Sequence, residues 1–144
     1  MENYDVLIIG GGPAGVSCAI SAKHTYPNKQ VALLRKENDP LIPCGIPYVL
    51  KSLKDVDENI LPDDPLYKAG VDIIIDEVIN KEDHSLELSS GRKLSFKKLV
   101  LATGSKAIIP RIEGINKNGV YFIRKNKQYL SELREKVKEA SKVI

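Results

Sequence analysis

The sequence predicts an α/β domain built on a parallel sheet, and three observations carry that prediction. Short apolar runs at residues 6–9, 31–34 and 99–102, the last opened by Lys98, read as strands buried on both faces. The first run leads into Gly10, Gly12 and Gly15, spaced G-x-G-x-x-G, and then into a helix of small residues. Residues 76–96 alternate apolar and polar side chains in the manner of a small antiparallel meander.

Val6, Leu7, Ile8 and Ile9 make the first strand. The chain must then turn sharply, bring its backbone close to a pyrophosphate and start a helix against the sheet. Glycine suits those positions because no Cβ obstructs them. Pro13 fits the first helical turn, where a missing N–H costs nothing. Ala14, Cys18, Ala19 and Ala22 share one small face, so close helix–sheet packing is expected, with Cys18 in the core. The amino end of the helix offers free N–H groups and partial positive charge to a phosphate. Strand, glycine loop and small-faced helix in that order predict a Rossmann-like dinucleotide site.

Residues 25–30 form a loop broken by Pro27 and Asn28, and residues 31–34 a second parallel strand. An acidic residue usually ends that strand, about 20 positions past the glycine loop, and bonds a ribose diol. Position 35 is arginine instead, followed by Lys36 and Glu37. Three readings stay open: Glu37 takes the ribose, Arg35 and Lys36 bind a phosphate or stack on adenine, or the segment is a basic loop edge. Arg35 also suits a ribose 2′-phosphate, so it does not decide which dinucleotide binds.

Residues 39–48, D-P-L-I-P-C-G-I-P-Y, are stiffened by three prolines and a glycine. Pro47 can open a short helix, which would put Cys44 before a helix N-terminus, where N–H groups and the dipole favour a thiolate. Nucleophilic and redox cysteines need such surroundings. The other reading of Cys44 is a small buried hydrophobe. Residues 51–69 are polar and broken by Pro62 and Pro65, a surface excursion with short helices, and residues 71–75 return to strand. The meander follows as strands 77–80, 85–88 and 93–96. Residues 98–102 then form a separate buried strand that ends in Thr103, Gly104 and Ser105, at the sheet edge where open α/β sheets bind ligands. His24 and His84 read as surface residues. Leu130, Leu133, Val137 and Ala140 predict a helix over 126–140 with Glu132 and Lys136 paired at i, i+4. Residues 141–144 read as the start of a further strand.

A net charge of +3 with 28% charged residues gives no electrostatic footprint for nucleic acid. No apolar run approaches the roughly 20 residues that span a bilayer. The N-terminus lacks the basic start of a signal peptide, so a cytoplasmic protein without membrane partners is expected. Cys18 and Cys44 make neither a disulfide framework nor a zinc motif, and no metal site is expected.

Taken together, the chain resembles the N-terminal part of the flavin-containing pyridine nucleotide-disulfide oxidoreductases, in the single-cysteine branch with coenzyme A-disulfide reductases and NADH oxidases. D-V-L-I-I-G-G-G-P-A-G resembles that family's FAD pyrophosphate loop, P-C-G-I-P-Y its redox-cysteine segment, and L-V-L-A-T-G-S with I-P-R-I-E-G its second flavin-contact strand and exit. The resemblance implies a three-layer ββα FAD-binding domain over residues 1–114. Residues 115–144 would be a connecting helix and the first strand of an NAD(P)-binding domain. It implies that Gly10, Gly12, Pro13, Ala14 and Gly15 line the FAD pyrophosphate and that Arg35 and Lys36 sit at the adenosine end. Val78 would touch adenine through its backbone, Ala102, Thr103 and Gly104 would meet the flavin, and Cys44 would face its ring. NAD(P)H would reduce the flavin, and the flavin a thiol- or disulfide-type small molecule held at Cys44, in a homodimer. With no second cysteine nearby, Cys44 would cycle through a mixed disulfide, persulfide or sulfenic acid. Two departures stand out: no acidic residue at position 35, and neither serine nor asparagine just before Cys44. Members of the family continue well past this length, so the chain is expected to be a fragment or a natural truncation, inactive alone. A nucleotide-binding module without turnover and an NAD(P)-binding enzyme of another class are the alternatives.

Overall fold

In the computed structural model, which describes residues 1–144, every residue of the strand Val31–Arg35 (β2) is buried. That burial comes from its position inside a sheet. The other strands are β1 (Glu2–Ile9), β3 (Asp72–Ile75), β4 (Val78–Glu82), β5 (Ser85–Leu88) and β6 (Lys93–Leu101), ordered β3-β2-β1-β6-β5-β4. β3, β2, β1 and β6 run parallel; β5 and β4 add an antiparallel hairpin to the outer edge of β6.

Period-two alternation sends the strand side chains to two different cores. Ile8, Val31 and Leu33 pack with Val16 and Ala19 of α1 (Pro13–Thr25) and Leu66 of α3 (Asp64–Ala69). Leu7, Ala32 and Leu34 pack on the opposite face with Leu86, Leu88, Leu94 and Phe96 of the meander. Helices, parallel strands and meander therefore form the three layers that the family resemblance implies.

The meander's third strand and the buried strand expected at 98–102 are one continuous element. β6 pairs with β1 from Glu2–Leu94 to Ile9–Leu101, while its first half pairs with β5 on its other edge. Only Lys97 falls between the two strands expected at 93–96 and 98–102. The Lys97 ammonium bonds Asp5 at 2.8 Å, so the charge stays outside while the ladder runs on. On α1, Ala19 is fully buried, Cys18 only half-buried and Ala14 exposed, so the packed face is narrower than expected.

The chain divides into two compact units, Met1–Pro40 with Leu61–Gly104 and Leu41–Ile60 with Ser105–Ile144. The first holds the sheet and its two cores, and the Leu61 N–H donates to the Pro40 carbonyl at 2.8 Å where the chain leaves and re-enters. In the second, α4 (Lys127–Glu139) lays Leu130 and Leu133 against Leu41, Ile46, Val49 and Val56. Its first turn is capped by the Asn126 side chain, which accepts from the Tyr129 N–H at 2.9 Å. The expected Glu132–Lys136 pair is replaced by other partners. Glu132 accepts from Gln128 at 3.1 Å, and the Lys136 ammonium lies 5.0 Å from the Tyr121 ring centre. Residues 141–144, read as an opening strand, find no partner to pair with and form none.

Candidate functional site

The carboxyl end of the parallel strands in the first unit gathers most of the residues singled out by sequence. The Gly10 N–H donates to the Leu34 carbonyl at 2.8 Å and the Ala102 N–H to the Ile9 carbonyl at 2.8 Å, so β1, β2 and β6 end together. Gly10 has φ +124°, and a Cβ there would collide with the Ala102 carbonyl oxygen. The glycine loop and the segment of Ala102, Thr103 and Gly104 are thus in contact. A Cβ on Gly15 would collide with the Gly10 carbonyl oxygen, which is the close helix–strand approach the motif demands.

Gly12 differs from both: a Cβ built on it meets nothing within 4 Å. It is the N-cap of α1, no side chain caps that end, and the first turn has no acidic residue. Pro13 and Ala14 are exposed beside it. The first-turn amides after Pro13 face no carboxylate of their own, and an anion is the natural partner for such a helix end.

Farther along the strand ends, the Arg35 guanidinium is buried and donates to both carboxylate oxygens of Asp63, at 2.5 and 2.7 Å. Lys36 bonds Glu77 at 2.9 Å, and the Glu77 carboxylate holds its ammonium pKa above the ordinary lysine value. Val78 follows Glu77 directly, half-buried against the meander core.

Cys44 belongs to the second unit and is exposed. It is the middle residue of a 3-10 turn, Pro43–Gly45, that runs into the single-turn α2 (Ile46–Val49). Ile46 and Val49 are buried and anchor the segment. Asn59, 2% exposed, holds it from the other side: its side-chain amide donates to the Ile42 carbonyl at 3.1 Å, and the Ile42 N–H donates to the Asn59 carbonyl at 2.9 Å. Sequence reasoning singled out neither Asn59 nor Asp63. A polar residue in a polar stretch carries no local mark of burial, and an ion pair between positions 35 and 63 is legible only after folding.

The sequence profile described as pyridine nucleotide-disulphide oxidoreductase matches residues 4–144. The chain belongs to the pyridine nucleotide-disulphide oxidoreductase family. It is 35% identical over 123 residues to the NAD(P)H coenzyme A polysulfide/persulfide reductase of Pyrococcus horikoshii, covering 81% of this chain and 28% of that protein. It is 30% identical over 129 residues to an NADH oxidase of Methanocaldococcus jannaschii, covering 82% and 29%. The solved sulfide:quinone oxidoreductase of Aquifex aeolicus shares the fold with TM-score 0.77 at 21% identity, over 96% of this chain and 32% of that one. The chain therefore spans less than a third of the length of these relatives.

Enzymes of the pyridine nucleotide-disulphide oxidoreductase family carry FAD and take electrons from NAD(P)H. The glycine loop suits such a cofactor: open space over Gly12 at an uncapped helix end leaves room and unpaired donors for a diphosphate. No helix is long and apolar enough to cross a membrane, and no cluster of three or more His, Cys, Asp or Glu is placed to hold a metal ion.

Proposed function

We propose that this chain is the FAD-binding part of an NAD(P)H-dependent oxidoreductase whose reducing equivalents reach a thiol- or disulfide-type small molecule through Cys44. The observation that carries it is the open, uncapped amino end of α1 at Gly12, against which Ala102 closes the strand ends. Gly10, Gly12, Pro13, Ala14 and Gly15 would hold the diphosphate, Lys36 and Val78 would border the adenosine, and Ala102, Thr103 and Gly104 the flavin. FAD, when bound, supplies a two-electron relay between NAD(P)H and sulfur.

Cys44 supplies the nucleophile. Its thiolate attacks one sulfur of a disulfide or persulfide, forming a mixed disulfide and releasing the other sulfur as a thiol or sulfide. Two electrons and two protons then return both sulfurs of the mixed disulfide to thiols. An exposed sulfur on a turn braced by Asn59 and α2 suits an attack that a bulky substrate must reach. Residues 1–114 form the FAD-binding region in this proposal, with residues 115–144 leading toward NAD(P)H-binding parts. A homodimeric whole enzyme in the cytoplasm completes it.

Reconstitution with FAD tests the binding half: a visible flavin band should co-elute with the protein and shift on binding. Cys44→Ser tests the chemistry in the complete enzyme. It should abolish disulfide or persulfide reduction while flavin stays bound, and full turnover by that variant would remove Cys44 from the mechanism.

A further inference from the structure

Arg35 ends β2 with its side chain 1% exposed, and its donors are committed inside the first unit. Nη1 and Nη2 donate to the two Asp63 oxygens, Nη2 donates again to the Asn38 carbonyl at 3.0 Å, and Nε donates to the Glu37 carbonyl at 2.9 Å. Four of the five guanidinium N–H groups are thereby used. The stem packs against the glycine loop, since a Cβ on Gly11 would stand 2.5 Å from the Arg35 Cδ. The Arg35 carbonyl accepts from the Asp76 N–H at 2.9 Å. One side chain and its backbone therefore join the glycine loop, the loop after β2, the residue before α3 and the corner that enters β4.

A phosphate seeking that guanidinium would have to reach a side chain 1% exposed, displace a bidentate carboxylate that is itself half-buried, and leave Asp63 unpaired. The arginine standing where a ribose-binding carboxylate is usual thus has its charge satisfied from within. We propose that Arg35 and Asp63 form an internal latch that positions Gly11 and residues 36–38 for the adenosine half of the bound dinucleotide. Arg35 acts as a positioning residue and does not touch a phosphate. The latch rests on the dinucleotide reading above and adds Asp63, 28 residues away in sequence, to the machinery of the site.

The test is calorimetric titration of the protein with FAD, ADP, 2′,5′-ADP and FMN, the last lacking adenosine. Asp63→Asn should weaken FAD and ADP by at least about tenfold, the scale of one lost charge-assisted interaction, and leave FMN within about twofold. Unchanged FAD and ADP affinities in the folded variant would overturn the latch. So would tighter binding of 2′,5′-ADP than of ADP by the parent, which would show the guanidinium taking a phosphate with Asp63 in place, or an equal loss for FMN in the variant, which would mark general damage. If thermal melting shows Asp63→Asn unfolded, Arg35→Met combined with Asp63→Leu removes both charges together and is scored by the same titrations. A parent protein that binds neither FAD nor ADP would refute the dinucleotide reading and the latch with it. A parent that binds both while the variants behave identically refutes the latch alone.

Discussion

Gly45 and the Asn59 amide oxygen are so close that a Cβ at position 45 would collide with it. The same asparagine donates to the Ile42 carbonyl, so the turn bearing Cys44 is gripped on both flanks by one buried side chain. Gly45→Ala must push that turn or Asn59 aside, at a cost of about 1–3 kcal/mol. Asn59→Ala leaves the Ile42 carbonyl without its side-chain donor and should cost about 1–3 kcal/mol. Denaturant unfolding measures both. Iodoacetamide alkylation of Cys44 should change rate in each variant, and an unaltered rate would show that the grip does not govern the sulfur.

The glycine loop separates fold from ligand at neighbouring positions. Gly15→Ala drives a methyl into the Gly10 carbonyl and should lower the melting temperature sharply. Gly12→Ala meets open space at φ −78°, which alanine adopts readily, so the melting temperature should hold. Its methyl would occupy the space proposed for the diphosphate, and FAD affinity should fall about tenfold or more, one lost interaction's worth. Retained FAD affinity in Gly12→Ala would move the diphosphate away from this helix end.

Two carboxylates make stability depend on acid. A hydrogen bond from Lys97, then one from the Gln30 N–H, brings Asp5 down to about 2. The hydroxyls of Ser89 and Ser90 do the same for Asp76, also to about 2. Both folded-state values lie below the unfolded value of about 3.9, so the unfolded chain binds more protons in that window and stability rises with pH there. Their contribution is complete above about pH 4 and is lost as pH falls toward about 2. Urea midpoints measured across that range should decline, and Asp76→Asn should flatten the decline. An Asp76→Asn curve parallel to the parent's would contradict the assignment.

Leu130 is fully buried in the core that α4 shares with α2 and the 3-10 turn Val56–Asn59. Leu130→Ala should cost about 2–5 kcal/mol, the range for a large-to-small change in a packed core. Urea unfolding followed by circular dichroism measures it. A loss well below that would mean that this small core collapses around the cavity.

Much of this architecture was legible locally. Val6, Leu7, Ile8 and Ile9, the G-x-G-x-x-G spacing and Pro13 mark strand, turn and helix because each preference acts within a few residues. The meander was legible through Leu86, Leu88, Leu94 and Phe96, whose alternation survives in the buried face. The continuity of β6 was not, because the partner that holds Lys97 outward is Asp5, on another strand.

By itself the sequence determined that this chain makes a three-layer α/β unit with a glycine loop at a helix N-terminus, and which family's pattern it carries. The strands, the glycine loop and its helix follow from short-range periodicity and from backbone freedoms that only certain residues allow, while the three layers and the family's pattern came from the resemblance of three motifs in order. The tertiary structure alone decided that the arginine at the end of β2 is satisfied from within by Asp63 and that Asn59 braces the turn of Cys44. Both contacts join residues far apart in the chain, and a buried polar group finds its partner only once folding has excluded water from it.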